Sequence, residues 1–562
     1  MKQMKLIGKR TILLVLAVVF LSACDVPSEK SPEIQPPAIA LDPLIEKRIT
    51  EWGTPFEEAI QEELIYSAVL VRNFYKGRNY KPAWSQDGRL TQVDTMMKAV
   101  EESYGDGLTP DYYHLVPIRS LVNKAGEYPI RDAALLADLD ILLTDAFLTL
   151  SCHLSGGCVN PVTFESEWFA KQGTVDVSSV LEQALRKKQI QEALTMLRPE
   201  QGLYGQIKKA LARYRELSSR GEWPLVSAGT RLEKSSVSDR VLELRARLVA
   251  SEELEAVETE TVNFFDEKLE QSVFNFQKRH GLKADGIVGL DTFNALNVPL
   301  KQRIRQMELN MERLRWILSN QEERSIVVNI ANFRLDVIEN LKPVLSMKVV
   351  VGKPFLRTPV FTEKMSYIVL NPTWTVPDSI ARKEILGKTK KDPEYLAGQN
   401  MKVLKGWGSQ EEEIAPETID WSKLTPYNLP YRFRQEPGPK NPLGRIKFMF
   451  PNKYNVYLHD TNARGLFSKD MRAFSHGCTR IEKPLELAEY LLRDDPKWNR
   501  ERILAAMDKG LEQNITLHHP LNVHFLYLTA WVDEDGTLQF RKDIYGRDSL
   551  LDEALRRKPS FK

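Results

Sequence analysis

At the point that decides its fold and its chemistry, the chain reads Ser475-His476-Gly477-Cys478-Thr479-Arg480. A thiol beside a glycine and near histidine is typical of a cysteine nucleophile, because the attacking thiolate needs a neighbouring base to form near neutral pH. His459, nineteen residues before Cys478, is a candidate for that base, and it needs a third group to orient its ring. Gly477 leaves room for a substrate carbonyl, and the backbone N–H groups around Gly477 and Cys478 are candidate oxyanion donors.

The residues alone leave other interpretations of this stretch open. His476 and Cys478 are two apart, so they share a face if the segment is a strand, and His476 would then be the base. A zinc site of His459, His476 and Cys478 is a second alternative, although catalytic zinc sites usually show tighter ligand spacing. A buried, unreactive Cys478 is a third, but residues 475–478 are small or polar and make a poor core segment.

The string from Tyr457-Leu458-His459 to Ser475-His476-Gly477-Cys478 resembles the signature of the L,D-transpeptidases, the YkuD-type catalytic domain. The resemblance implies that Cys478 is the nucleophile and His459 the general acid and base. It also implies that Asp460 orients His459, through its backbone carbonyl or its side chain.

The same resemblance implies roles for the residues around the nucleophile. Ser475, His476 and Gly477 are expected to support the site, and Arg480 is a candidate for holding a substrate carboxylate. The family often has Asn at the place of Arg480, and this chain matches the larger, multidomain YcbB-like branch instead. We expect thiol labelling to single out one fast-reacting cysteine of low pKa.

The first residues predict export. Residues 1–23 have a basic start followed by an apolar core too short for a comfortable membrane span, which is typical of a signal peptide. Leu21-Ser22-Ala23-Cys24 resembles a bacterial lipobox, so Cys24 is predicted to carry lipid and to begin the mature chain; ordinary secretion is the alternative. Asp25 resembles an inner-membrane retention signal, which implies a periplasm-facing lipoprotein anchored in the inner membrane. Residues 24–43 have the composition of a flexible tether.

Two further cysteines flank a short Ser-Gly-Gly segment. An oxidising compartment would permit a disulfide between Cys152 and Cys158, and two free thiols are the alternative. The chain has 562 residues, so three or more modules are expected. Its 78 basic and 76 acidic residues form no basic stripe, so no nucleic-acid partner is predicted.

The first modules are predicted to be helical. Residues 44–225 show helical periodicity and resemble the scaffold domain of the YcbB-like enzymes. Residues 237–300 resemble a peptidoglycan-binding domain of three short helices, with turns at Gly286 and Gly289. Residues 301–323 form an amphipathic helix that links this module to the next.

The pattern then changes to strands. Residues 324–515 are predicted to form a β-rich catalytic domain, interrupted at about 377–439 by an insertion that reads as a lid. Residues 516–562 are assigned to separate C-terminal strands and a tail. The predicted fold is therefore multidomain α+β: a helical scaffold, a three-helix module and a β-rich catalytic domain with a lid.

The resemblance implies a reaction on peptidoglycan stem peptides. The acyl donor would be a tetrapeptide stem and the acceptor another stem, giving a 3-3 crosslink between two diaminopimelate residues through a thioester at Cys478. No cofactor and no metal are expected, and carbapenem-type β-lactams are the implied inhibitors. Transfer to water, transfer to a lipoprotein, or a non-catalytic wall-binding lipoprotein remain the alternatives.

Overall fold

The computed structural model describes residues 40–52, 59–60, 63–126, 129–161, 175–199, 202–256, 263–317 and 323–557. The predicted signal peptide, the lipidated Cys24 and most of the tether lie outside these described residues. Within them the fold is α+β, with helices in the N-terminal half and a large sheet in the C-terminal half, as predicted. No helix in the described ranges combines the length and the apolar character needed to cross a bilayer.

The N-terminal part is built around one buried helix. Its helices are α1 (Asp42–Thr50), α2 (Ala68–Gly77), α3 (Val93–Ser103), α4 (Leu115–Ala125), α5 (Ala133–Gly156), α6 (Val177–Lys187), α7 (Ile190–Met196) and α8 (Leu203–Ser219). Two short strand pairs accompany them, β1 (Ala59–Ile60) with β2 (Glu63–Leu64) and β3 (Ser85–Gln86) with β4 (Arg89–Leu90). Helix α5 is apolar on nearly every face, so it occupies the centre of the group. Its buried Asp145 accepts hydrogen bonds from the Ser67 backbone N–H at 2.7 Å and from His114 Nε2 at 2.7 Å.

The predicted disulfide between Cys152 and Cys158 is wrong, because both are free thiols. Helix α5 continues through Gly156 instead of turning between the two cysteines, so their side chains face different neighbours. Burial, with a smaller effect of Asp145, raises the pKa of Cys152 to about 11. Burial, then Glu312, raises the pKa of Cys158 well above its ordinary value.

The second module has the three short helices expected of it. They are α9 (Asp239–Ala250), α10 (Glu267–Arg279) and α11 (Leu290–Leu296), and they enclose a small apolar core. The Gln277 side chain fixes the turn before α11, since its amide donates to Ile287 O at 2.8 Å and its carbonyl accepts from Gly286 N–H at 2.8 Å. Gly286 has a φ of +73°, which favours glycine at this turn.

The predicted linking helix is largely buried and contacts both the helical half and the C-terminal half of the molecule. Helix α12 spans Leu300–Ile317 and is buried from Leu309 to Trp316. It packs against α5, α8 and the C-terminal part of the chain. Buried Glu312 accepts hydrogen bonds from Arg315 of the same helix at 2.6 Å and from the Cys158 backbone N–H at 2.6 Å, and the second bond joins this helix to the scaffold.

The catalytic domain begins with four strands. They are β5 (Arg324–Asn329), β6 (Arg334–Glu339), β7 (Lys342–Gly352) and β8 (Phe361–Leu370). Ile326 and Val328 of β5, for example, are both buried, as the period of two predicts.

The predicted lid is a small subdomain with its own apolar core. Its strands are β9 (Trp374–Thr375), β10 (Met401–Lys405), β11 (Glu412–Ile414) and β12 (Arg432–Gln435), which pair in the order β11-β10-β12-β9. Its helices are α13 (Asp378–Ile380), a π-helical turn (Ala381–Ile385), α14 (Leu386–Lys391) and α15 (Tyr395–Gly398). Its core includes Ile385, Leu396, Val403 and Phe433, so the insertion is a packed unit and not a loose loop.

The remaining strands complete one sheet. They are β13 (Ile446–Met449), β14 (Leu458–His459), β15 (Ala473–Ser475), β16 (Thr479–Ile481) and β17 (Gln513–Leu526), with α16 (Pro484–Leu492) and α17 (Arg500–Asp508) before β17. The strand order is β15-β7-β16-β14-β13-β8-β17-β5-β6, and β6 also pairs with β7, so the sheet curls back on itself.

The predicted domain boundary between residues 515 and 516 is wrong, because it falls inside β17. This strand pairs with β8 on one side and with β5 on the other, so the residues after 515 belong to the catalytic sheet. His518 and His519 are exposed beside the register break of β17 between Thr516 and Leu521. The chain then forms a hairpin of β18 (Ala530–Val532) and β19 (Leu538–Phe540), followed by α18 (Arg547–Leu555). The hairpin packs on α8 and α12, which ties the sheet to the helical half.

Candidate active site

The predicted nucleophile and base lie on one face of the sheet. Strands β14 and β16 run parallel, with Leu458 paired to Thr479 and His459 paired to Arg480. Paired residues face the same side and alternate residues along a strand do so too, so Tyr457 and His459 share a face with Cys478 and Arg480. The nineteen residues between the histidine and the cysteine therefore place them as diagonal neighbours on adjacent strands.

The turn that carries the thiol is held by a buried serine. Ser475 is 2% exposed; its Oγ donates to the carbonyl of Cys478 at 2.5 Å and accepts from Gly477 N–H at 3.1 Å. Gly477 has a φ of +118°, a backbone conformation that side chains rarely adopt. The Gly477 N–H is therefore engaged with Ser475, which corrects its prediction as an oxyanion donor.

Residues far away in sequence hold the same turn from the other side. Thr358 Oγ1 donates to the Gly477 carbonyl at 2.8 Å and accepts from Gly352 N–H at 2.9 Å. The Tyr545 hydroxyl donates to the Gly352 carbonyl at 2.6 Å. Neither Thr358 nor Tyr545 was a predicted site residue, because nothing in the motif indicates which distant loops contact it.

The thiol faces an open cavity. Cys478 is half-buried and lines a cavity of about 1180 Å³. The backbone N–H and the hydroxyl of Tyr457 both hydrogen-bond its sulfur, and Sγ lies 3.7 Å from the Asn455 carbonyl. Burial raises the pKa of the Cys478 thiol, with Tyr457 and Lys447 opposing that rise. This direction is opposite to the low thiol pKa that the sequence predicted.

His459 is held as a neutral base. It is 5% exposed, and its Nδ1 lies 2.6 Å from the backbone carbonyl of Asp460, so Nδ1–H donates and Nε2 carries the free lone pair. Burial, followed by the positive charge of Arg480, lowers the pKa of His459 to about 3. Of the two ways in which Asp460 was expected to orient the ring, the structure uses the carbonyl.

The Asp460 carboxylate instead braces the preceding turn. It accepts from Arg445 N–H at 2.9 Å and from the Arg464 guanidinium at 3.2 Å. Gly444 has a φ of +62°, and a Cβ there would lie 2.3 Å from the Asp460 carboxylate, so this position requires glycine.

Comparison with known protein families gives the same order of domains along the chain as the structure does. Residues 323–498 match the model of the L,D-transpeptidase catalytic domain, residues 69–211 a scaffold domain, and residues 237–296 a "Putative peptidoglycan binding domain". Residues 323–498 form an L,D-transpeptidase catalytic domain.

Similar proteins carry related names. A Haemophilus influenzae protein described as a "Putative L,D-transpeptidase" is 35% identical over 249 residues, which is 44% of this chain and 49% of that relative. The chain thus spans about half the length of the curated relative that it matches. Crystal structures of L,D-transpeptidases from Stackebrandtia nassauensis (12% identity, TM-score 0.19) and Xylanimonas cellulosilytica (13%, 0.16) align with 54% and 53% of this chain and 96% and 99% of theirs.

His476 contacts the lid. Its side chain is exposed, and its Nε2 lies 3.1 Å from a carboxylate oxygen of Glu384 in the lid. The positive φ of Gly477 breaks the strand between His476 and Cys478, so the alternation that would place them together does not apply. No group of three or more His, Cys, Asp or Glu side chains in the described ranges is arranged to hold a metal ion.

Arg480 lies beside the base and not in the cavity wall. Its guanidinium lowers the pKa of His459, and its Nε is buried with no hydrogen-bond partner among the described residues. Arg480 is absent from the residues that line the cavity, whereas Lys447 is among them. The predicted role of Arg480 in holding a carboxylate thus lacks geometric support. Lys447 was missed because only the pairing of β13 with β14 brings it opposite His459.

The lid forms the second wall of the cavity in this L,D-transpeptidase domain. Its aromatic side chains Trp374, Trp407 and Tyr431 line the space opposite the sheet. Trp407 is 74% exposed and is covered on one side by the Arg432 guanidinium, 3.7 Å from the ring centre.

Proposed function

We propose that the protein is a peptidoglycan L,D-transpeptidase that forms 3-3 crosslinks between diaminopimelate residues through a thioester on Cys478. One observation carries the proposal: Cys478 lies at the wall of a long cavity, on the same sheet face as a neutral, oriented His459. The match of residues 323–498 to the L,D-transpeptidase catalytic domain supports the same reaction class.

In the acylation step, His459 Nε2 takes the thiol proton as Cys478 Sγ attacks the carbonyl of the donor peptide. The Sγ–C bond forms, the scissile C–N bond breaks, and His459 returns the proton to the departing amine. The Tyr457 hydroxyl and N–H, which hydrogen-bond the sulfur in the resting site, stand close enough to stabilise the oxyanion. The donor we infer is a tetrapeptide stem that loses its terminal D-alanine.

In the second step, a side-chain amine of another stem attacks the thioester, and neutral His459 takes the amine proton. The thiolate leaves and takes that proton from His459, so the site returns to its starting state with both the thiol and the imidazole neutral. The lid lines the cavity, and its closure over a bound substrate would exclude competing water and so favour transfer over hydrolysis. The contact between Glu384 and His476 is one place where the lid touches the nucleophile turn.

We also infer a periplasm-facing lipoprotein anchored in the inner membrane. The apolar segment before Leu21-Ser22-Ala23-Cys24 and the following Asp25 support this location. We also infer that carbapenem-type β-lactams acylate Cys478, because their strained ring is an acyl donor that a cysteine nucleophile can attack. Lipid attachment at Cys24 that globomycin blocks tests the first of these two proposals. The intact mass of the protein after treatment with a carbapenem tests the second.

Muropeptide analysis after adding the purified protein to sacculi tests the proposed function. We expect new diaminopimelate–diaminopimelate dimers with the wild type and none with Cys478→Ala, while circular dichroism shows that the variant stays folded. Shortened monomers without dimers would indicate transfer to water instead. Crosslink formation by Cys478→Ala would refute the proposal.

A further inference from the structure

The proposed reaction leaves one cation of the active site without a role. Lys447 lies on β13 directly across from His459 on β14. Its ammonium nitrogen lies 4.0 Å from the centre of the Tyr457 ring, and Tyr457 hydrogen-bonds the sulfur of Cys478. Lys447 is therefore separated from the nucleophile by a single side chain.

The other cations of the cavity wall are already engaged or lie at its edge. Among the described residues that line the cavity, the Lys and Arg side chains are Arg357, Arg432 and Lys447. Arg432 donates to Glu411 and to the carbonyl of Gly406, and Arg357 is exposed and donates to the carbonyl of Pro354.

Lys447 differs from both of these arginines. It is half-buried, and within the described part of the chain no carboxylate lies within 4.0 Å of its Nζ and no hydrogen-bond acceptor is in reach. Glu512, whose charge acts on Lys447, accepts a hydrogen bond from the Thr373 backbone N–H. Burial lowers the pKa of Lys447, and Cys478 and Glu512 oppose that effect. A partly desolvated cation that has no counter-ion in the protein is suited to an anion supplied by a ligand.

The chemistry of the leaving group supplies such an anion. When the scissile bond is the last peptide bond of the donor, the departing residue carries a free carboxylate. Covalent geometry places that carboxylate carbon within about 4 Å of the scissile carbonyl carbon. A cation next to the thiol is at the right range to bind it.

We propose that Lys447 binds the terminal carboxylate of the leaving residue and so restricts the donor to peptides that end one residue after the scissile bond. This inference rests on the proposed function and adds that the site recognises the terminal carboxylate of the donor. The Sγ–C bond forms and the C–N bond breaks as before. The thiol proton passes through His459 to the amine, which departs as a free amino acid with its carboxylate still on Lys447.

The experiment compares two donors that differ in one group. A disaccharide tetrapeptide and its C-terminal amide are incubated with the protein, and release of the last residue is followed by mass spectrometry. We expect the wild type to prefer the acid, and Lys447→Met to lower kcat/KM for the acid about tenfold or more, as expected for loss of a charge-assisted hydrogen bond. The amide should change little, so the preference collapses, whereas Lys447→Arg retains part of it.

Two control variants accompany this comparison. Lys364→Met removes an exposed lysine of the same sheet that does not line the cavity, and it should keep the preference of the wild type. Arg357→Gln removes the exposed arginine at the edge of the cavity and should also keep it.

The outcomes separate this inference from the function on which it rests. A wild-type preference that Lys447→Met retains, or an equal loss on both donors, would overturn the role of Lys447 while leaving the transpeptidase proposal intact. Loss of the preference in Arg357→Gln alone would assign the carboxylate to that arginine and would equally overturn it. A wild type that processes neither donor would contradict the proposed function itself.

Discussion

The Cys478 thiol and the His459 imidazole, the two side chains of the proposed reaction, both lie in surroundings that favour their uncharged forms. Burial raises the pKa of the Cys478 thiol, and burial together with Arg480 lowers the pKa of His459 to about 3. These surroundings disfavour a preformed thiolate–imidazolium pair, so in the reaction that we propose the proton moves to His459 as the sulfur attacks. Arg480, on the same sheet face, acts on the base and keeps it free to accept a proton.

This arrangement predicts the pH dependence of alkylation at Cys478. Because the thiol pKa is raised, the rate of reaction with iodoacetamide should keep climbing above pH 9 and show no plateau near neutrality. Mass spectrometry of the alkylated peptide over a pH series measures the rate. Cys152 and Cys158, whose pKa values are also raised, serve as internal references. A plateau below pH 7 would reveal a stable thiolate and contradict the assignment.

At the scale of the element, the nucleophile turn depends on hydroxyls from three separate segments. Ser475 closes it from within, Thr358 holds it from the loop after β7, and Tyr545 anchors that loop from the segment before α18. Ser475 belongs to the sequence motif, and its place there has a physical reason. A buried hydroxyl in a tight turn satisfies the backbone groups that the turn leaves unpaired.

Ser475→Ala tests the importance of this turn. The change leaves the Cys478 carbonyl and the Gly477 N–H without their buried partner, so unfolding free energy should fall by about 1–3 kcal/mol. Acylation should slow more than stability alone explains, because the thiol loses its fixed position. Urea unfolding and acylation kinetics measure both effects. Ser468→Ala, an exposed serine that bonds Gly465, is the matched control; equal behaviour of the two variants would refute the role of Ser475.

At the scale of the whole molecule, the sequence predicted the order of the modules better than the borders between them. Helical and strand periodicity indicated the helical first part of the chain and most strands of the sheet, whereas the scaffold and the module of three short helices were predicted from their resemblance to known domains. The boundary at 515 was wrong because local patterns do not reveal that β17 pairs with β8 and β5 at the middle of the sheet. Lys447 and Tyr545 were missed for the same reason, since only the strand register and distant contacts bring them to the site.

Buried histidines in both halves predict how stability depends on pH. His459 and His153 have pKa values of about 3, below the ordinary value of 6.5, so the unfolded chain binds protons first and stability falls as pH drops from 6.5 toward 3. His114 has a pKa of about 9, so its contribution is complete below pH 6.5 and is lost as pH rises through 9. Stability set by these groups should peak near pH 6.5.

Urea unfolding at pH 4.5, 6.5 and 9 measures this dependence. Between pH 6.5 and 4.5 each neutral buried histidine should cost about 2–3 kcal/mol, and His459→Gln should remove that share of the acid loss. His114→Gln should flatten the loss between pH 6.5 and 9. Unchanged slopes in these variants would show that other groups govern the pH dependence.

The most direct test of the central claim is the intact mass of the protein mixed with a tetrapeptide donor and quenched in acid. The wild type should gain one acyl group, equal to the donor without its last residue, and peptide mapping should place it on Cys478. His459→Gln should acylate about 100-fold or more slowly at neutral pH, as expected for loss of a general base. An acyl group on another residue, or equal acylation rates in the wild type and His459→Gln, would contradict the pairing of this thiol with this imidazole.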